Sequence, residues 1–341
     1  MTHYKLAFLG FGNVGRALAQ LLLRKRDELQ GRYNITFSVT GIATARHGSL
    51  ANPSGVDLTG ALGLIRDGQS LNLVTKTLVA DAQDFIQKCG ADVLFENTPV
   101  NHASGQPAID HVRAALEAGM HVCTANKGTV VHGYRELSAL AEKMGRKFYF
   151  ESTVMDGAPI FSLFREAIPA AQLKSFRGVL NSTTNLILTR MEGGESFDQA
   201  LSYCQEIGLA ETDPSADVDG WDAAIKVAAL VTVLMDAPFT PQQVDRTGIR
   251  AITPEMVAKA KSQGKRIKLV CSAQRESEAV TGRVAPELVP ASSPLYSVEG
   301  STSIVQFTTD VLGELSIVET DPGPHTTAYG LLADFINAVT R

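Results

Sequence analysis

Residues 205–226 read Gln-Glu-Ile-Gly-Leu-Ala-Glu-Thr-Asp-Pro-Ser-Ala-Asp-Val-Asp-Gly-Trp-Asp-Ala-Ala-Ile-Lys and hold six carboxylates before closing on a lysine. Asp222 and Lys226 are four apart, so on a helix they share one face. The run that follows, Val227 to Met235, is apolar nearly all round and reads as a buried helix. A lysine entering such a helix needs a partner or a purpose, because an unpaired buried charge is costly. A positioned lysine can stabilise negative charge on a reacting oxygen and give it a proton. Burial or a second lysine would lower its pKa toward neutrality. Glu211 and Asp217 precede it in the acidic loop. A purely structural reading also stands, with Lys226 and Asp222 as a salt bridge in the core.

A second chemical signal opens the chain. Tyr4 to Leu9 is a short apolar strand, followed at once by Gly10-Phe11-Gly12-Asn13-Val14-Gly15 and then by a helical pattern from Arg16 to Leu29. Strand, glycine turn and helix in this order form the dinucleotide fingerprint. Gly10 permits the tight turn, Gly12 lets backbone approach a pyrophosphate, and Gly15 allows helix to pack on strand. Asn13 and Val14 then sit at the helix N-terminus, whose free N–H groups face phosphate. The second strand, Ile35 to Ala43, leads into Thr44-Ala45-Arg46-His47-Gly48 with no acid to bind a ribose diol. Arg46 is suited to a 2′-phosphate, which favours NADP(H) over NAD(H). The plainer alternative makes Arg46 and His47 solvated loop residues.

These residues need elements to position them. Strand and helix alternate through Ala91–Glu96, Gly105–Ala118, Met120–Thr124 and Gly133–Met144, which implies a doubly wound parallel sheet. Ligands bind at the carboxyl ends of such strands. Thr98 and Lys127 lie in the loops at those ends, although a generic loop lysine is more often only solvated. Glu151 ends the strand Lys147–Thr153, where it can ligate a hard cation or simply cap a helix. Ser182-Thr183-Thr184-Asn185 opens a helix after the strand Leu173–Asn181, a carboxylate receiver or an ordinary N-cap. Strands at 266–273, 281–286, 302–310 and 314–319 suggest a mixed sheet, and 326–339 a closing helix. The expected division is a nucleotide-binding domain over 1–146, a substrate and dimerisation domain over 147–323, and a C-terminal helix, 324–341, that returns to the first.

Composition narrows the class. The chain has 341 residues, 44% hydrophobic and 20% charged, with a net charge of -5. That is ordinary for a soluble globular enzyme of two domains and gives no support for nucleic-acid or membrane binding. The N-terminus lacks the features of a signal peptide, and Val227–Met235 is too short to span a bilayer. The scattered Cys89, Cys123, Cys204 and Cys271 read as reduced thiols of a cytoplasmic protein.

Taken together, the motifs resemble homoserine dehydrogenase over nearly the whole chain. Ala125-Asn-Lys-Gly128, Gly178-Val-Leu-Asn-Ser-Thr-Thr-Asn185 and above all Gly208-Leu-Ala-Glu-Thr-Asp-Pro through Asp217-Val-Asp-Gly-Trp-Asp-Ala-Ala-Ile-Lys226 carry the likeness. The resemblance implies NAD(P)H-dependent reduction of L-aspartate 4-semialdehyde to L-homoserine, on the route to threonine and methionine. It implies Lys226 and Lys127 near the reacting oxygen, and Glu211 and Asp222 on the substrate's ammonium and hydroxyl. Thr183 would contact the substrate backbone, with Asp217 and Ser182 in the same pocket. It also implies a homodimer, and a monovalent cation such as sodium held by Glu151 with carbonyls of Val154, Asp156 and Ala158. Val154-Met155-Asp156-Gly157 departs from the family's glycine-rich segment, and Ser182 replaces a glycine. A related dehydrogenase for another small oxo or hydroxy acid remains open on those departures; a catalytically silent nucleotide binder is a second alternative, against which the presence of Lys127, Glu211, Asp222 and Lys226 argues.

Overall fold

The apolar run after Thr2 forms the central strand of a six-stranded sheet. In the computed structural model, which describes residues 1–341 except 75, 76, 78 and 278, strand β1 (Thr2–Leu9) pairs in parallel with β2 (Ile35–Ala43) on one side and β4 (Val93–Glu96) on the other. Strand β5 (His121–Thr124) and β6 (Phe148–Tyr149) extend the parallel arrangement. The outer strand β3 (Ser49–Val56) runs antiparallel to β2. The order is β3-β2-β1-β4-β5-β6, so the strand order reverses at β1. That reversal opens the crevice in which such sheets bind ligands.

The chain divides into two compact units, Met1–Pro159 with Gly323–Arg341, and Ile160–Pro322. Residues 147–159, expected to open the second unit, therefore stay with the first. The reason is local bonding: β6 pairs with β5, the Glu151 N–H donates to Asp334 at 2.8 Å, and the Ser152 hydroxyl donates to the Thr327 carbonyl at 2.7 Å. Asp334 and Thr327 belong to the helix Pro324–Thr340, whose Leu331 and Phe335 join the first unit's apolar core beside Leu6, Phe8 and Phe95. Burying each such side chain stabilises by roughly 1.5–3 kcal/mol. The helical pattern read from Arg16 to Leu29 is two helices, Asn13–Arg24 and Arg26–Tyr33, broken at Lys25. The first buries a continuous leucine face; the second buries only Leu29.

The second unit carries a mixed sheet of β7 (Leu173–Val179), β8 (Asp245–Arg246), β9 (Lys265–Glu276), β10 (Ala279–Pro290), β11 (Ser303–Thr309) and β12 (Glu314–Glu319). Its order is β12-β11-β7-β9-β10-β8, antiparallel except for the β10–β8 pair. The helix Trp221–Leu234 has Ala223–Ile225 and Val227–Thr232 buried, with Lys226 the less buried residue between those two stretches. Ile160 to Ile168 contains a single wide turn at Leu163–Ala167. Among the described residues no helix is long and apolar enough to cross a membrane.

Candidate active site

In the first unit the glycine turn is built as its spacing requires. Gly10 has φ +92°, a region that costs other residues steric strain, and a side chain there would run into the Asn97 carbonyl. A Cβ on Gly15 would lie 2.7 Å from the Gly10 carbonyl oxygen, so the helix sits against the turn only because Gly15 has none. A cavity of about 410 Å³ lies over this turn, lined by Gly10, Gly12, Asn13, Arg46, Asn97 and neighbours. Gly12 is open to it, with no heavy atom within 4 Å of where a Cβ would stand. Both polar atoms of the Asn97 side chain are buried there without a hydrogen-bond partner. An unsatisfied amide beside a glycine cradle and a helix N-terminus suits a polar ligand such as a dinucleotide. Arg46 is exposed on the same rim, Val14 is partly buried in the first helical turn, and Thr98 follows β4.

Thr98 and Lys127 are joined by a residue that sequence reasoning passed over. Glu96 ends β4 fully buried, with one carboxylate oxygen accepting from the Thr98 N–H at 3.0 Å and from its hydroxyl, and the other from the Thr124 hydroxyl at 2.7 Å. Burial raises its pKa, against the pull of those hydrogen bonds. Thr124 accepts from the Asn126 N–H at 2.9 Å; Asn126 in turn donates to the Thr98 carbonyl at 3.1 Å and caps Gly128 N–H at 3.0 Å. Lys127 thus opens its helix, Lys127–Lys143, from a loop locked to the Thr98 loop. The signal was an acid closing the apolar run Val-Leu-Phe-Glu.

The second unit gathers the lysine and two of the acids. Asn181, the N-cap of the helix Ser182–Glu192, donates from one amide nitrogen to Asp217 at 2.7 Å and to Asp222 at 3.0 Å. Its oxygen accepts from the Thr184 N–H at 2.9 Å and hydroxyl at 2.8 Å. Lys226 lies 3.2 Å from Asp222 and donates to the Leu180 carbonyl at 2.6 Å. Both charged side chains keep some exposure, 14% for Lys226 and 16% for Asp222, so they remain reachable. Asp217 has its pKa raised, first by burial and then by the Asp222 charge, while Asn181 and Thr183 pull the other way. Thr183 is buried with its hydroxyl donating to the Leu209 carbonyl at 3.4 Å, and Ser182 faces Ser303 at 3.5 Å. Sequence reasoning missed Asn181, although an Asn before Ser-Thr-Thr is an N-cap signal. Glu211 is exposed. Two other acids of the run are structural: Asp213 accepts from the Ser215 N–H at 3.0 Å, and Asp219 pairs with Arg250.

The residues expected around a cation sit in the turn after β6. Asp156 stands at φ +41° and its carboxylate accepts from the Thr326 hydroxyl at 2.9 Å. Glu151 is buried against the C-terminal helix, while Val154 and Ala158 are buried in the following turn. Among the described residues no group of three or more His, Cys, Asp or Glu is placed to hold a metal ion. These contacts give no support for a bound cation.

A parallel sheet with a glycine turn at its switch point defines an α/β oxidoreductase of the NAD(P)-dependent class. Comparison with known proteins narrows this. Residues 10–151 match the family pattern described as the NAD binding domain of homoserine dehydrogenase, and residues 159–336 match the homoserine dehydrogenase pattern itself. An NAD(+)-dependent homoserine dehydrogenase from Pseudomonas canavaninivorans is 37% identical over 99% of this chain and 96% of its own length. A homoserine dehydrogenase from Methanocaldococcus jannaschii is 36% identical over 97% of each chain. A solved hyperthermophilic archaeal homoserine dehydrogenase in complex with NADPH superposes with a TM-score of 0.83 at 28% identity, covering 99% of this chain and 98% of that one. The chain belongs to the homoserine dehydrogenase family, whose reaction is the NAD(P)-dependent interconversion of L-aspartate 4-semialdehyde and L-homoserine.

Proposed function

We propose that semialdehyde reduction in this chain runs through Lys226. The observation that carries this is the Asn181 bridge, which joins Asp217 to Asp222, and Asp222 lies 3.2 Å from the Lys226 ammonium. Bound cofactor supplies the hydride to the aldehyde carbon. Lys226 stabilises the charge developing on the oxygen and gives it a proton, leaving an alcohol and a neutral amine that solvent reprotonates. Asp222 and Asp217 hold the substrate's ammonium, with Thr183 and Ser182 as neutral contacts and Glu211 recruited on binding. Lys127 has an auxiliary electrostatic role.

For the cofactor, Gly10, Gly12, Asn13, Val14 and Gly15 receive the pyrophosphate and Thr98 borders the site. Arg46 favours NADP(H), supported by its exposed place on the cavity rim and by the absence of an acid after β2. The two relatives point both ways, one called NAD(+)-dependent and one solved with NADPH. A homodimer formed by the second unit fits its exposed Leu288 and Val318. Steady-state assays of semialdehyde, and of a panel of other small oxo acids, with NADPH and NADH side by side test the reading. It requires the semialdehyde to give the highest kcat/KM, and a different preferred acid would overturn it.

A further inference from the structure

Strand β9 carries a lysine that the chemistry above does not use. Lys268 is fully buried, and among the described residues no carboxylate bonds to it directly. It donates instead to two neutral oxygens, Asn185 Oδ1 at 2.9 Å and the Val298 carbonyl at 2.6 Å. Taking an ammonium out of water for neutral partners is expensive. The partners show what is gained. Asn185 lies in the first turn of the helix Ser182–Glu192, next to Thr184 and four residues from Asn181. Val298 begins the loop that leads into β11 at Ser303.

A lysine only donates, so it fixes which end of the Asn185 amide faces it. The amide nitrogen then points to the Thr302 carbonyl, to which it donates at 3.0 Å. A second strand of the same link runs from the Thr189 hydroxyl to the Asn185 carbonyl at 2.7 Å, and from the Gly300 N–H to Thr189 at 3.1 Å. Arg266, two residues earlier on β9, lies on the same face of the sheet. It lies 3.4 Å from Glu192 and 2.5 Å from Glu299, and donates to the Tyr296 carbonyl at 3.2 Å. Lys268 and Arg266 therefore clamp one helix and one loop to a single strand at two levels.

We infer that Lys268 is a positioning residue: through Asn185 it holds the Asn181–Asn185 turn, and with it the substrate-facing Ser182 and Thr183, against the 298–303 loop. The inference rests on the proposed substrate role of that turn. Hydrogen exchange and kinetics on full-length Lys268→Met test the two parts separately. Backbone amides of residues 182–185 and 299–303 are expected to exchange about tenfold faster, while amides of residues 10–24 stay unchanged. KM for the semialdehyde is expected to rise about tenfold, with KM for the nicotinamide cofactor unchanged within about twofold. Asn185→Ala, the milder disruption, should loosen the same two segments to a smaller extent, and it decides the question if Lys268→Met does not fold. Unchanged exchange at these segments in Asn185→Ala or in folded Lys268→Met overturns the inference. So does uniform loosening of the second unit with KM unchanged, which is the signature of a merely structural lysine. If the wild-type chain fails to reduce the semialdehyde, the functional reading falls, while exchange still decides whether Lys268 positions the turn.

Discussion

Two lysines in the second unit stand in opposite environments. Lys226 keeps partial exposure and sits 3.2 Å from a carboxylate, while Lys268 is fully buried between an amide oxygen and a backbone carbonyl. Both lysines bond to the segment Leu180–Asn185, one at each end. A reachable ammonium beside a bridged carboxylate pair can exchange its partners for a substrate. An enclosed ammonium with neutral acceptors has nowhere to send its charge and holds geometry instead. On the proposed reading, the contrast separates chemistry from positioning within six residues of chain.

The sharpest way to break the contrast is to remove each cation in turn. Lys226→Met should lower kcat by about 10² to 10⁴, as loss of a catalytic acid does. Lys268→Met should act mainly on stability and KM. It strands two buried acceptors, at about 1–3 kcal/mol each, which a denaturant midpoint would register. Comparable losses of kcat in the two variants would erase the distinction. A smaller effect concerns the other unit. Arg46→Ala should raise KM for NADPH about tenfold, the worth of one charged hydrogen bond, and leave NADH unaffected. Equal changes for both cofactors would remove Arg46 from the 2′-phosphate.

A further expected effect is on the pH dependence of stability. Burial pulls the Lys268 pKa down from 10.5 to about 8, with the Glu192 carboxylate opposing, Arg266 adding and Glu299 opposing. Between about pH 8 and 10.5 the unfolded chain then binds more protons at this site than the folded one. Stability from this group is therefore lower below pH 8 and rises with pH through that window. Urea melts of wild type and Lys268→Met at pH 7.5 and 9.5 should show this rise in wild type and its loss in the variant. A pH slope unchanged by the substitution would contradict it.

How much of this was legible in the sequence follows from range. Gly10, Gly12 and Gly15 fall within one turn, and Asp222 and Lys226 are one helical turn apart, so spacing alone showed both, while the Asn97 carbonyl that crowds Gly10 was not visible. Strand β3 gave little signal because Pro53 and Gly55 lie within it. Lys268 read as one more polar residue in a strand, because its partner Asn185 is 83 residues away in the chain. The bond between the Asp156 carboxylate and Thr326 was not legible because 170 residues separate the two. The boundary at 147 shifted for the same reason, since the C-terminal helix holds Glu151 and Ser152. Glu211 remains a residue whose role rests on its motif position alone.

The central claim, that Lys226 carries the proton transfer, is met most directly by single-turnover reduction of L-aspartate 4-semialdehyde with saturating NADPH. Wild type and Lys226→Met should be compared at matched fold stability. The account predicts a hydride-transfer rate lowered by at least about 10² in the variant, with cofactor affinity unchanged. A variant rate within a few fold of wild type would contradict it.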